Sequence, residues 1–543
     1  MTSRCHRGKL ACEPMKLVIL IVILVFLIYG CSNPKPKTQA ADFNDVATST
    51  FYREQHRPQF HFSPDSMWMN DPNGMVYYEG EYHLFFQHYP DSTVWGPMHW
   101  GHAVSTDLVH WEQLPIALYP DSLGYIFSGS AVVDWKNSSG FGTDQNPPLV
   151  AIFTYHNDVM REKGALNFQT QAIAYSNDKG RTWIKYEGNP VIDNPGIKDF
   201  RDPKVIWHEA SQKWVMVFAV LDHVKIYNSE NLKEWQLVSE FGRYHGSHGG
   251  VWECPDLFPL EVENTGETKW VMIVSLGDGA PNGGSGTQYF IGDFDGKRFV
   301  NSLPPDEVLW LDYGRDNYAG VTWSDIPEDD GRRIFIGWMS NWKYAGVVPT
   351  EPWCSAMTIP RTLSLVQLPI GIRLITQPVE ELRELRNRSF EIKEKAIKGD
   401  LDVHLPFDIS RSEVLLEFAD LSMARDFGIM LSNRLGQQLR VGYDPAGDRF
   451  YIDRSSGGAV DFSDTFADKQ YAPRLSKQYG IKLHLLFDVS SVELFTDDGQ
   501  VAMTAIYFPD QAFNQVKLYA NDGSVGLNSA RFFQLNSIWQ NRL

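Results

Sequence analysis

The feature that most constrains this chain is a short phrase that returns at irregular intervals. Ser105-Thr-Asp-Leu-Val-His-Trp111 is echoed by Ser176-Asn-Asp-Lys-Gly-Arg-Thr-Trp183 and by Asn228-Ser-Glu-Asn-Leu-Lys-Glu-Trp235, with Gly292-Asp-Phe-Asp-Gly296 as a worn fourth copy. Each phrase is a cluster of turn formers, closed in the first three by a tryptophan. The spacing from Ser105 to Ser176 is 176 − 105 = 71 residues, and from Ser176 to Ser229 it is 229 − 176 = 53. Between the phrases lie short runs rich in Val, Ile, Tyr and Phe, at 75–78, 81–87, 149–156, 169–176, 204–207, 214–220, 270–276, 287–293 and 333–339. They alternate or run apolar and are bounded by Gly, Pro, Asn and Asp, as strands are. No long helical period interrupts them. Repeats that each hold a strand group closed by a turn predict propeller blades, and five blades fill 60–377.

Beyond that point the pattern changes. Residues 379–388 are charged and helix-compatible, a connector, and short alternating runs follow at 413–418, 428–431, 440–443, 481–487, 492–496 and 501–508. Those predict a separate β-sandwich. The expected chain is all-β: a five-bladed β-propeller over 57–378, a connector over 379–390 and a C-terminal β-sandwich over 391–543.

The amino terminus reads as an export signal. Lys16 precedes the apolar run 17–29, which is shorter than the ~20 residues of a membrane span and suits a signal core of ~7–15. The ending Leu-Ile-Tyr-Gly-Cys31 resembles a bacterial lipobox, which implies acylation of Cys31 and a membrane-anchored, exported lipoprotein. Residues 1–31 are then the signal peptide and 32–56 a polar tether. Of the five cysteines only Cys254 and Cys354 lie beyond Cys31, so there is no disulfide framework and no metal-type spacing. The formal charge of −18, with no Lys/Arg-rich run, argues against a nucleic-acid partner. The 17 Trp, 23 Tyr and 32 Phe serve sheet packing, and flat rings also stack on sugar faces.

Three motifs place carboxylates among turn residues: Trp68-Met-Asn-Asp-Pro-Asn-Gly74, Asp199-Phe-Arg-Asp-Pro203 and Trp252-Glu-Cys-Pro-Asp256. Read alone, the first is a β-turn. Read together, they supply what glycoside hydrolysis needs, paired carboxylates flanking the scissile bond. Proline beside Asp71 and Asp202 fixes the backbone next to the reacting group.

Together the motifs resemble glycoside hydrolase family 32, the β-fructosidases that include invertases, inulinases and levanases. The resemblance implies that Asp71 is the nucleophile, Asp202 the transition-state stabiliser and Glu253 the acid/base. It also implies a fructose pocket shaped by Asn70, Gln87, Trp95, Phe127, Ser128, Arg201 and Trp338, with Trp95 and Trp338 closing it. The implied reaction is retaining and needs no metal or organic cofactor. The expected partner is fructan; no obligate protein partner is expected. Glu253 is expected to carry a raised pKa and Asp71 a low one, while Asp202 stays ionised beside Arg201. Cys254 is expected to be a small buried residue. The stretches 281–289 and 314–318 look like bacterial levanases and exo-inulinases, which favours release of terminal fructose from levan or inulin, with sucrose as a minor substrate. Alternatives are an endo-acting levanase, an inverting glycosidase acting on arabinans, and a non-catalytic fructan-binding lipoprotein. The last is expected to have lost a carboxylate, and all three are present.

Overall fold

The structure, a computed structural model, describes residues 52–143, 145–420, 424–475 and 479–539. The expected signal, Cys31 and most of the tether lie outside those residues. Five antiparallel sheets each begin with an inner strand: Met67–Tyr78, Tyr125–Val133, Phe200–His208, Trp252–Glu261 and Tyr318–Thr322. Later strands add outward in chain order, making five blades. Each inner strand packs against the next, and the fifth packs against the first, so the ring closes. A latch completes it. Trp353 and Cys354, in the segment between the second and third strands of blade 5, pair in parallel with Met67 and Trp68 of blade 1. Radial repetition of this kind leaves each blade only a short outer edge.

The apolar runs follow from burial on both faces. In Lys213–Val220, the second strand of blade 3, Val215, Val217 and Ala219 enter one core with Leu257 and Met272 of blade 4. Trp214, Met216, Phe218 and Val220 enter another with Val150, Ile152 and Ile173 of blade 2. A strand covered on both sides has no polar face to show, so its sequence reads as an unbroken run.

The recurring phrase falls at one position, the turn from third to fourth strand, in blades 1 to 4. Ser105 Oγ donates to Asp107 Oδ1 at 3.0 Å, Ser176 Oγ to Asp178 Oδ1 at 2.7 Å and Ser229 Oγ to Asn231 Oδ1 at 3.3 Å. In the fourth copy Asp295 Oδ1 accepts the backbone N–H groups of Lys297 and Arg298. Side chains that satisfy turn amides in this way explain the residue types.

Three boundaries shift. Trp68–Gly74 is no free turn, because the inner strand Met67–Tyr78 runs through it. The folded body begins inside the expected tether: Tyr52 stacks on Trp539 at 3.8 Å, and Arg57 is fully buried, donating to Ser63 Oγ at 3.0 Å and Pro64 O at 2.7 Å. A buried guanidinium needs fixed acceptors, and that orders the segment. Finally, a 3-10 turn at Glu380–Leu385 leads into a strand, Arg386–Val403, that starts inside the expected connector.

The C-terminal part is one hydrogen-bonded network of ten strands around its own apolar core. Its long last strand, Gln515–Leu535, pairs with Arg386–Val403, Ser412–Asp420 and Asp426–Ser432.

Candidate active site

All five inner strands lose register at the same end. The slips fall between Met69 and Pro72, Ile126 and Gly129, Arg201 and Lys204, Glu253 and Asp256, and Tyr318 and Val321. An extra residue at such a bulge breaks the in–out alternation and re-aims a side chain. Asp202, Cys254 and Ala319 hold left-handed backbone there, with φ of 66°, 44° and 52°. Non-glycine residues pay about 1 kcal/mol or more for that conformation, and such strain concentrates at functional sites.

The result is a cluster of carboxylates. Asp71 Oδ1 accepts from Asn70 Nδ2 at 3.0 Å, and Oδ2 accepts from Ser128 Oγ at 2.7 Å and from the Cys254 thiol at 3.5 Å. Asn70 is itself fixed by Trp68 Nε1, 2.7 Å from its Oδ1. Asp202 Oδ2 accepts the Cys254 backbone N–H at 3.2 Å, while the Asp202 N–H donates to Thr154 Oγ1 at 3.0 Å. Glu253 Oε1 accepts from Arg201 Nε at 3.2 Å and Nη2 at 2.9 Å, and Oε2 accepts from the Tyr318 hydroxyl. Arg201 also reaches Asp199 Oδ1 at 2.7 Å and lies 3.7 Å from Asp202 Oδ2. One cation therefore serves three acidic neighbours.

The electrostatics follow from that shortage of positive charge. Burial raises the Asp71 carboxyl above the usual carboxylate range; the Glu253 charge adds to this, and the bonds from Ser128, Asn70 and Cys254 oppose it. The expectation of a low value for Asp71 is thereby corrected. Burial pushes Asp202 up to about 7; Arg201 pulls against it and the charges of Glu253 and Asp71 push with it. Its ionisation is thus less secure than the neighbouring guanidinium alone implied. Burial and the same carboxylates drive the Cys254 thiol well up, so it stays a protonated donor.

The satellites divide. Gln87 is buried, with Nε2 lacking a hydrogen-bond partner among the described residues. Trp95 is 42 % exposed and meets Phe127 edge-on at 6.1 Å. Trp338 differs from expectation, being fully buried against Trp68 at 6.1 Å and Trp342 at 4.8 Å. It cannot wall a pocket by itself. Trp342, 37 % exposed above it, is the aromatic surface on that side. Sequence reasoning missed Trp342, Tyr318, Thr154 and Asp199 as site residues. Asp199 and Tyr318 stood at the ends of stretches already singled out, whereas Thr154 comes from a second strand with no local signal.

Residues 61–378 match the model of the glycosyl hydrolases family 32 N-terminal domain, and residues 379–534 match that of the family 32 C terminal. The chain belongs to glycoside hydrolase family 32. The family 32 boundary coincides with the end of the last blade strand, Gly371–Pro378. Among family 32 relatives, a levanase of Bacillus subtilis (strain 168) is 52 % identical over 499 residues, covering 91 % of this chain and 72 % of its own. The crystal structure of an exo-inulinase from Aspergillus awamori superposes with a TM-score of 0.83 at 38 % identity, covering 90 % of this chain and 100 % of that one. A β-fructofuranosidase from Schwanniomyces occidentalis, solved with fructosyl-erythritol, gives 0.82 at 34 % identity over 90 % and 99 %. This family 32 chain is a glycosidase.

Proposed function

We propose that the protein releases terminal β-D-fructose from levan or inulin with retained configuration, and cleaves sucrose as a minor substrate. The observation that carries this reading is the convergence of Asp71, Asp202 and Glu253 at the bulged ends of three blades, bridged by Cys254 and Arg201. Asp71 attacks the anomeric carbon as Glu253 gives its proton to the leaving oxygen, forming a fructosyl ester on Asp71. Glu253, now a carboxylate, takes a proton from water; the water oxygen bonds the anomeric carbon and the Asp71–carbon bond breaks. While Glu253 holds the proton, the charge that raises Asp71 is absent, which favours the Asp71 carboxylate at the moment of attack. Asp202 grips ring hydroxyls, and Tyr318 and Arg201 hold Glu253 in place.

Incubation with levan, inulin and sucrose, with products resolved by size over time, tests the mode. Fructose alone is expected at early times; a ladder of oligofructosides would mean internal cleavage. The roles are tested separately. Asp71→Asn should abolish turnover on every substrate. Glu253→Gln should lose ~10²–10⁴-fold on natural substrates, yet form the fructosyl-enzyme from a substrate with a good leaving group and turn over when azide is added. Azide rescue of Asp71→Asn in place of Glu253→Gln would reverse the assignment. We propose further that the mature chain is held at a membrane by lipid on Cys31, a reading that rests on the Gly30-Cys31 ending of the apolar run. Cys31→Ala should move it to the soluble fraction or leave it unprocessed, and an unchanged distribution would reject the anchor.

A further inference from the structure

The propeller channel is blocked midway. Lys204 Nζ donates to Thr322 O at 2.6 Å and pairs with Asp256 Oδ2 at 3.1 Å, and Asp256 accepts the Thr322 N–H and hydroxyl. All three residues are buried. Beyond this plug a separate cavity of ≈ 710 Å³ opens at the far end of the blades. It lies by the last residues of the inner strands; six residues of extended chain, from Asp202 to His208, span about 20 Å. Nothing in the proposed reaction uses it.

The cavity is lined by four indoles from three blades, those of Trp135, Trp207, Trp214 and Trp270. Trp135 is 58 % exposed, so core packing does not account for it. Two of the rings are pinned by their edges: Trp135 Nε1 donates to Asp325 Oδ1 at 2.8 Å, and Trp207 Nε1 to Glu209 Oε2 at 2.6 Å. With its N–H engaged, the exposed Trp135 ring has an apolar face left to offer a ligand, while Lys136 Nζ lies 4.4 Å over one face of Trp207 and leaves the other. The charges in the lining cancel, Lys136 and Arg333 against Glu209 and Asp325, which disfavours a strongly charged occupant. Two polar groups still lack partners among the described residues, the hydroxyl of Ser324, itself 9 % exposed, and Nε of Arg333. Fixed aromatic faces, balanced charge and spare hydroxyl-matching groups together describe a site for an uncharged, polyhydroxylated ligand.

We propose that this cavity is a second, non-catalytic carbohydrate site that holds a segment of fructan while chain ends are cleaved at the opposite mouth. The choice of fructan rests on the proposed function; the separation from the carboxylates does not. Holding the polymer at a second point raises the local concentration of its ends, an advantage a disaccharide cannot share.

The test compares the parent with Trp135→Ala/Trp207→Ala, both also in an Asp71→Asn background to prevent digestion. Sucrose hydrolysis should stay within about twofold. Native-gel retardation by levan or inulin should weaken about tenfold or more, while dextran retards neither protein. Equal retardation with and without the tryptophans, or equal loss on dextran, overturns the proposal. Should the double variant unfold, Trp135→Ala alone carries the same readout, because its ring is largely outside the core. A parent that is retarded by levan through these tryptophans yet cleaves no fructan would sink the catalytic reading and leave this one standing.

Discussion

Asp202 is buried among Asp71, Glu253 and Arg201, and the fold raises its pKa from 3.8 to about 7. An aspartate raised on folding contributes stability that is whole below the unfolded value and is lost as pH rises through the folded one. Asp202→Asn keeps the site neutral and escapes that loss. The variant should therefore lose activity and yet gain stability over the parent between pH 4 and 8, by at most about 4 kcal/mol at ~1.4 kcal/mol per unit. Thermal unfolding at pH 4 and pH 8 checks this, and a difference that does not grow with pH would contradict it. Tyr318 acts through Glu253, since its hydroxyl donates to Oε2. Tyr318→Phe should lower kcat by roughly tenfold, leaving KM nearly constant, and should add little further loss in a Glu253→Gln background. A purely structural tyrosine would move stability and lower kcat alike in both backgrounds.

At the scale of the element, the bulged inner strand is the working unit. Gly74 sits in a second register slip of the first inner strand, between Asn73 and Val76, at φ of +55°, and a Cβ there would lie 2.5 Å from Phe85 Cδ2 and 2.9 Å from Trp100 Cζ3. Both rings are fully buried and have nowhere to retreat. Gly74→Ala should cost roughly 2–4 kcal/mol, backbone strain and overpacking together, with activity falling as Asp71 shifts. Gly80 makes the control, having φ of +91° and no atom within 4 Å of a built Cβ. Gly80→Ala should cost only about 1 kcal/mol. Denaturation midpoints compare the two, and equal losses would show that conformation alone, with no contact from Phe85 or Trp100, decides the effect.

Across the whole molecule, propeller and sandwich share a buried ionic network. Arg361 pairs with Asp312 at 2.9 Å and with Glu493 at 2.5 Å, and His61 bridges Asp488 at 2.8 Å and Glu493 at 2.9 Å, all nearly without exposure. Arg361→Ala strands two carboxylates and should cost about 3–5 kcal/mol. Burial alone would lower the His61 pKa, but Asp488 and Glu493 hold it up at about 9. Its contribution is whole below 6.5 and lost as pH rises through 9, so urea unfolding should show stability declining across that window. His61→Gln should flatten that part of the curve.

What the chain's own order determined is local. Alternation and unbroken apolar runs announced the strands, the recurring turn phrase marked one position in four blades, and the three carboxylate motifs named acidic groups that converge at the bulged ends, because each is written within about ten residues. What only the tertiary structure decided depends on partners far apart in sequence. Asp71 meets Ser128, 57 residues on, and Cys254, 183 residues on. Those neighbours, not the motif, raise or oppose its proton affinity. Tertiary packing buried Trp338 and left Trp342 at the surface, and contacts such as Tyr52 on Trp539 took residues 52–56 out of the tether. Desolvation and charge are sums over everything within a few ångströms, and no local stretch of sequence states who those neighbours are.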